Sequence, residues 1–183
     1  MNRHLTKPAA FLFAVLLFAG CSTPPPVARV LHRASYWDGD GMTGPPRVRI
    51  VLSEQRAYFY KGEALAGVSP ISSGKEGRDT MTGNFHIIEK EKYHESSLFG
   101  AYVAEDGRIV QRDVDTRKDP RPPGTHFVGA PMPHWMRIVG GTGMHKGTLP
   151  GYPASHGCIR LPGDMAEAFY GAVSVGTPVT IER

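Results

Sequence analysis

Six consecutive residues, Ser155-His156-Gly157-Cys158-Ile159-Arg160, crowd a hydroxyl, an imidazole, a thiol and a guanidinium around one glycine. The thiolate is the nucleophilic form of cysteine, and a nearby imidazole makes it accessible near neutral pH. The chain holds only 2 cysteines, and Cys21 has a separate explanation, given below. Cys158 is therefore a candidate nucleophile for acyl transfer. Two other readings use the same residues: a buried cysteine that serves only as a small hydrophobe, and a zinc site formed by His145, His156 and Cys158.

The base is less obvious than the nucleophile. At the end of a strand, Cys158 would share a face with His156, with Cα atoms roughly 6.6 Å apart. Side chains running side by side are poorly aligned for an imidazole–thiol hydrogen bond. A base from another segment is better placed, and His145 is the candidate, because Gly140-Gly141-Thr142-Gly143 forms a turn that can present it. Gly157 lets the backbone approach a substrate closely, and its amide is a candidate donor to an oxyanion. The remaining histidines, at 4, 32, 86, 94, 126 and 134, show no spacing that suggests ligands.

The elements that must position these groups are short and β-prone. Val48, Ile50 and Leu52 alternate with Arg49 and Val51, and Ala57-Tyr58-Phe59-Tyr60 follows a turn at Ser53-Glu54-Gln55. Further strands are predicted at 68–72, 85–88, 108–111, 135–139 and 178–181. Frequent short strands, with 22 Gly and 16 Pro, predict a mostly β sandwich or barrel-like fold. One helix is predicted after the cysteine, opened by a capping box of Asp164 and Glu167, with Met165, Ala168, Phe169 and Ala172 facing inward. The charged, proline-rich stretch 112–125 reads as an exposed loop.

The N-terminus reads as an export segment. Arg3 and Lys7 precede an apolar run from Ala9 to Ala19, which is short of the roughly 20 residues a spanning helix needs and suits a secretory signal. Phe18-Ala19-Gly20-Cys21 resembles a bacterial lipobox, with Phe18 where leucine is usual, so residues 1–20 are expected to be cleaved and Cys21 lipidated. Ser22 after it suggests the outer membrane, facing the periplasm. Residues 21–46 then form a Pro/Gly-rich tether, with Asp38-Gly39-Asp40-Gly41 as a turn; Tyr36 and Trp37 have no role in a tether and are candidates to pack on the domain. Removing Arg3 and Lys7 from the 21 Lys+Arg leaves 19 against 17 Asp+Glu, so the net charge falls from +4 to +2. A nearly balanced chain without a dense basic run carries no footprint of nucleic-acid binding. In an oxidising compartment Cys158 has no intramolecular partner, which favours a chemical role.

His145 with the Ser155–Arg160 hexapeptide resembles the signature of the L,D-transpeptidase catalytic domain, also called the YkuD-type domain. Pro70–Lys75 and Asp79–Phe85 are similar to its upstream "SxG…TPTGxF" stretch, with Met81 in place of proline. The resemblance covers residues 47–183. It implies Cys158 as nucleophile, His145 as general base and acid, the Lys146 backbone carbonyl as the group orienting His145, and the Gly157 and Cys158 amides in the oxyanion site. His156, Ser155 and Arg160 would line the substrate site, with Tyr152 and Trp135 beside them, and Arg160 could pair with a substrate carboxylate. The implied substrate is the peptidoglycan tetrapeptide stem, processed through a thioester with no cofactor and no metal. The acceptor would be a diaminopimelate amine, a free D-amino acid, a lipoprotein lysine or water. A monomer, acylated at its cysteine by carbapenems, is expected. The alternatives are a hydrolytic member, acting as carboxypeptidase or lipoprotein-detaching amidase, and an inactive wall-binding module.

Overall fold

The computed structural model describes residues 35–183. The signal segment, Cys21 and the first part of the tether lie outside the described residues. Among the described residues, eleven strands and one helix follow in the order β1 (Tyr36–Trp37), β2 (Pro46–Val51), β3 (Arg56–Lys61), β4 (Ala64–Pro70), β5 (Gly83–His86), β6 (Glu89–Ala104), β7 (Ile109–Asp115), β8 (Thr125–Val139), β9 (Thr142–Lys146), β10 (Ile159–Leu161), α1 (Gly163–Ala172) and β11 (Pro178–Glu182). They form a six-stranded sheet, β1-β4-β3-β2-β11-β5, and a five-stranded sheet, β10-β9-β8-β6-β7. Both sheets are mixed, because β11 runs parallel to β2 and β10 parallel to β9. The mostly β expectation, with one short helix after Cys158, matches this architecture.

Alternation explains the first sheet. In β2, Val48 and Ile50 are buried while Arg47 and Arg49 lie half-exposed, and Arg49 pairs with Glu182 across the parallel β11. Val48 and Ile50, Phe59 of β3, Met136 and Ile138 of β8, and Met144 of β9 belong to one core together with Met165, Ala166 and Phe169 of α1. Burying each large side chain is worth about 1.5–3 kcal/mol.

Trp37 belongs to this core rather than to a tether. Its ring packs edge-on against Phe59 at 5.1 Å and against Phe169 at 5.8 Å. Gly39 and Gly67 make the seat: a Cβ on either would stand 2.6 Å from the indole. The folded unit therefore begins by Tyr36, eleven residues before the expected start at residue 47, because β1 pairs with β4.

Three local expectations change. The helix begins at Gly163 with Pro162 at the N-cap and no side-chain cap, so Asp164 lies in the first turn, where its charge favours the helix dipole, and forms no capping box. Its buried residues are Met165, Ala166 and Phe169, so Ala166 replaces Ala168 on the inner face. Residues 112–115 are strand, not loop: β7 is an edge strand, where charged side chains reach water while the backbone pairs with β6. The strand β6, 16 residues long, carries no apolar period that could have announced it.

Candidate active site

A hairpin and a crossover bring the chemical groups together. Gly140, at φ 52°, and Gly141 turn the chain from β8 into β9. A parallel partner strand cannot follow directly, so residues 147–158 loop back before β10 lies down beside β9. The register sets Ile159 opposite Met144 and Arg160 opposite His145. Cys158, one residue ahead of Ile159, thus comes level with Gly143. Cys158 and His145 both line a cleft of about 410 Å³.

Around the sulfur, the contacts are backbone groups. The thiol donates towards the Gly141 carbonyl at 3.5 Å, and the Gly143 N–H points back at the sulfur. Glycine is required at 143, where a Cβ would stand 2.6 Å from the Met136 carbonyl oxygen and 2.7 Å from the Trp135 ring. Burial pushes the Cys158 thiol up, opposed by the Gly143 N–H and by Arg160. The thiol is free and half-buried.

His145 is 6% exposed. Its Nδ1 lies 2.8 Å from the Lys146 carbonyl oxygen. A carbonyl only accepts, so Nδ1 carries the proton and Nε2 holds the lone pair. Burial pushes the imidazole down to about 4, against the Lys146 carbonyl, with Arg160 and His94 adding to the depression. At neutral pH the pair therefore rests as neutral imidazole and neutral thiol. The Lys146 side chain is exposed.

The loop carrying the hexapeptide is held by its own hydroxyl and by an upstream segment. Ser155, 1% exposed, donates to the Cys158 carbonyl at 2.5 Å and accepts from the Gly157 N–H at 3.1 Å. Gly157, at φ 116°, makes this bend possible. Thr80 accepts from the Gly74 N–H and donates to the Gly157 carbonyl, both at 2.9 Å. The Ser72 hydroxyl donates to the Tyr152 carbonyl at 2.8 Å, and the Ser73 carbonyl accepts from the amides of Ala154 and Ser155. The serines and threonine of the upstream stretch are thus scaffold for the cysteine loop.

Several expected site residues are placed differently by this geometry. Cys158 precedes β10 in a bend, so His156 does not share a strand face with it; His156 does line the cleft, as expected, with its ring stacked on Phe99 at 4.4 Å. The Gly157 amide is engaged by Ser155 and is not left for an oxyanion. Ser155 contributes to the cleft wall, but its hydroxyl is spent on the loop. Trp135 lines the cleft, as expected, but is only 1% exposed, its ring tilted against His145 at 6.0 Å. Tyr152 is 62% exposed and does not line the cleft. Arg160 lines it, as expected. The donor atoms of His145, His156 and Cys158 do not all come within 4.8 Å of one another.

Two groups of cleft residues escaped the sequence. Phe99 and Leu98 reach the cleft from β6. Arg78 and Arg117 lie over the Phe99 ring at 5.7 and 5.4 Å, and both pair with Asp115, whose carboxyl they hold well below the usual carboxylate range. His94, also from β6, lines the cleft, and its ring stacks on Trp135 at 4.7 Å. His94 is brought in by the β6–β8 pairing, while Leu98 and Phe99 lie where that register is interrupted and Phe99 pairs with Asp115 of β7, so no local pattern could have found them.

A family model described as the L,D-transpeptidase catalytic domain matches residues 45–181. L,D-transpeptidase 1 of Mycobacterium tuberculosis is 28% identical over 180 residues, covering 83% of this chain and 61% of that protein. The chain thus spans about three fifths of that relative's length. Among solved structures, an L,D-transpeptidase from Mycobacterium smegmatis superposes with a TM-score of 0.57 at 21% identity, over 76% of this chain and 59% of that one. A cysteine-to-serine mutant of an Enterococcus faecium L,D-transpeptidase gives 0.53 at 25% identity, over 76% and 50%.

Proposed function

Because the chain belongs to the L,D-transpeptidase catalytic domain family, we propose that it is a cysteine acyltransferase acting on peptidoglycan stem peptides. The observation that carries this reading is one cleft lined by Cys158 and by an imidazole whose tautomer the Lys146 carbonyl selects. In the first half-reaction the Cys158 sulfur attacks the carbonyl of the third stem residue. His145 Nε2 accepts the thiol proton as the carbon–sulfur bond forms, a general-base step that suits a resting neutral pair. With the Gly157 amide engaged, the Cys158 N–H is the donor assigned to the oxyanion. Collapse expels the terminal D-alanine, whose nitrogen takes the proton back from His145, and a thioester remains. An amine then attacks the thioester and regenerates the thiol. Arg160, in the cleft wall, is assigned to a substrate carboxylate.

The site of action follows from the N-terminal pattern and belongs to the same reading: export, lipidation at Cys21, and anchorage facing the periplasm. Changing Cys21→Ser is expected to release the protein into the soluble periplasmic fraction, and unchanged fractionation would remove the anchor. For the chemistry, the mature protein is incubated with a carbapenem and its intact mass recorded. A single adduct in the wild type and none in Cys158→Ala is the expected result. An adduct that persists in Cys158→Ala, or its absence in the wild type, refutes the nucleophile. Product masses from a tetrapeptide-bearing muropeptide then distinguish crosslinking from hydrolysis.

A further inference from the structure

The thioester half-reaction raises a proton problem that His145 alone does not solve. An acceptor amine arrives as an ammonium at neutral pH, and forming the amide and restoring the thiol requires it to lose two protons. One of them ends on the Cys158 sulfur. The other must pass to solvent or to a second acceptor within the cleft, and an acceptor in the cleft lets the ammonium lose it in place.

The wall opposite holds one. His94 lines the same cleft as Cys158 and His145. Its Nδ1 lies 2.5 Å from Glu91 Oε2. A carboxylate accepts, so Nδ1–H donates and Nε2 is left with the lone pair. The ring lies flat on Trp135, with planes 11° apart, and Trp135 in turn leans on His145. Residues three apart on a regular strand point to opposite faces, so this pair needs a distorted ribbon. Across the ribbon, between the register pairs Glu91↔Trp135 and Tyr93↔Pro133, His134 holds φ 58°, a conformation unusual outside glycine. Glu89 also brings a carboxylate oxygen within 4.8 Å of the Glu91 and His94 side chains and pairs with Arg137 at 2.9 Å, and His145, Lys146 and Arg160 are the further charged or titratable groups of the same cleft.

We propose that His94, oriented by Glu91, is a second proton acceptor of the Cys158 cleft and serves transfer of the acyl group to an ammonium acceptor. The proposal rests on the thioester reading above. His94 Nε2 takes one proton from the ammonium, and the Glu91 carboxylate compensates the charge the ring gains. The freed amine attacks the thioester carbonyl, the new carbon–nitrogen bond forms, and the carbon–sulfur bond breaks. The second N–H proton passes through His145 to the departing sulfur. His94 then returns its proton to solvent. The favoured acceptors are therefore primary amines protonated at neutral pH, rather than water.

The test compares the mature wild type, His94→Gln and Glu91→Gln in two assays. Acylation is followed by carbapenem adduct mass against time. Aminolysis is followed with a tetrapeptide donor and a free D-amino acid acceptor, scoring exchange against hydrolysis products from pH 6.5 to 9.5. In His94→Gln the ratio of aminolysis to acylation should fall about 10²-fold at neutral pH. The deficit should shrink as pH rises and the acceptor arrives unprotonated. Glu91→Gln keeps a hydrogen-bond acceptor for Nδ1–H and should show a smaller loss with the same pH rescue. An unchanged ratio overturns the proposal. So does a loss that pH does not rescue, which would make His94 only a support for Trp135. A wild type that forms no adduct would instead refute the thioester reading itself, so the two failures are distinguishable.

Discussion

Burial of His145 as a neutral ring should write itself into the pH dependence of stability. Its value is pushed from an ordinary 6.5 to about 4. Between these values the unfolded chain binds a proton at this position and the folded chain does not. Stability therefore falls as pH falls through that window, and the contribution is flat above it. Integrating the linkage relation, the site costs almost nothing at pH 7, about 2 kcal/mol at pH 5 and about 3 kcal/mol at pH 4. Asp115 acts in the opposite sense and elsewhere. Its depressed carboxyl contributes stability above its unfolded value of 3.8 and loses it only below, so it leaves the upper window undisturbed. The assay is urea denaturation of the wild type and His145→Gln from pH 4 to 8. The difference between the two proteins cancels the contributions of other groups, His156 included. Relative to the wild type, His145→Gln should gain about 3 kcal/mol between pH 7 and pH 4. A difference that stays constant across the range would refute the neutral buried imidazole. The neutral resting pair would fall with it. The same premise puts the acid limb of carbapenem acylation near 4 rather than 6.5.

Three substitutions probe the cysteine loop. Ser155→Ala removes both hydrogen bonds of a buried hydroxyl and should cost about 1–3 kcal/mol in urea denaturation, with slower acylation, because the Gly157 amide and the Cys158 carbonyl lose their partner. Gly157→Ala meets no atom closer than 3.7 Å, so its cost is that of the backbone at φ 116°; about 1–3 kcal/mol is expected, measured by thermal melting with acylation rate as the second readout. Lys146→Ala retains the carbonyl that holds His145 and exposes nothing buried, so acylation within about twofold of wild type is expected from a surface truncation. A loss of more than tenfold would mean that the side chain, not the carbonyl, matters.

Residue chemistry and the position of the strands were legible along the chain because both are local properties. Alternating apolar residues in β2 bury one face wherever a sheet supplies a partner, and Gly140-Gly141 turns the chain whatever lies nearby. An unpaired thiol near an imidazole likewise identified itself by type and spacing. The strand β6 stayed hidden since its polar run has no period, and its stability comes from pairing with β7 and β8. Trp37 stayed unexplained because its seat is made by Gly67, thirty residues away in sequence.

The sequence alone determined which groups are candidates to react: one thiol, a distant imidazole and a glycine-centred bend between them. Only the tertiary structure decided how those groups are divided among tasks. Parallel pairing of β9 and β10 set Arg160 beside His145 and Cys158 beside Gly143. A hydroxyl that looked available for substrate was committed to its own loop, and an aromatic ring expected beside the substrate was buried against the imidazole. A histidine with no recognisable spacing came to line the cleft. Hydrogen-bond donors and acceptors are assigned by whichever partner lies within about 3 Å, and for residues far apart in the chain that distance is a property of the packed sheets.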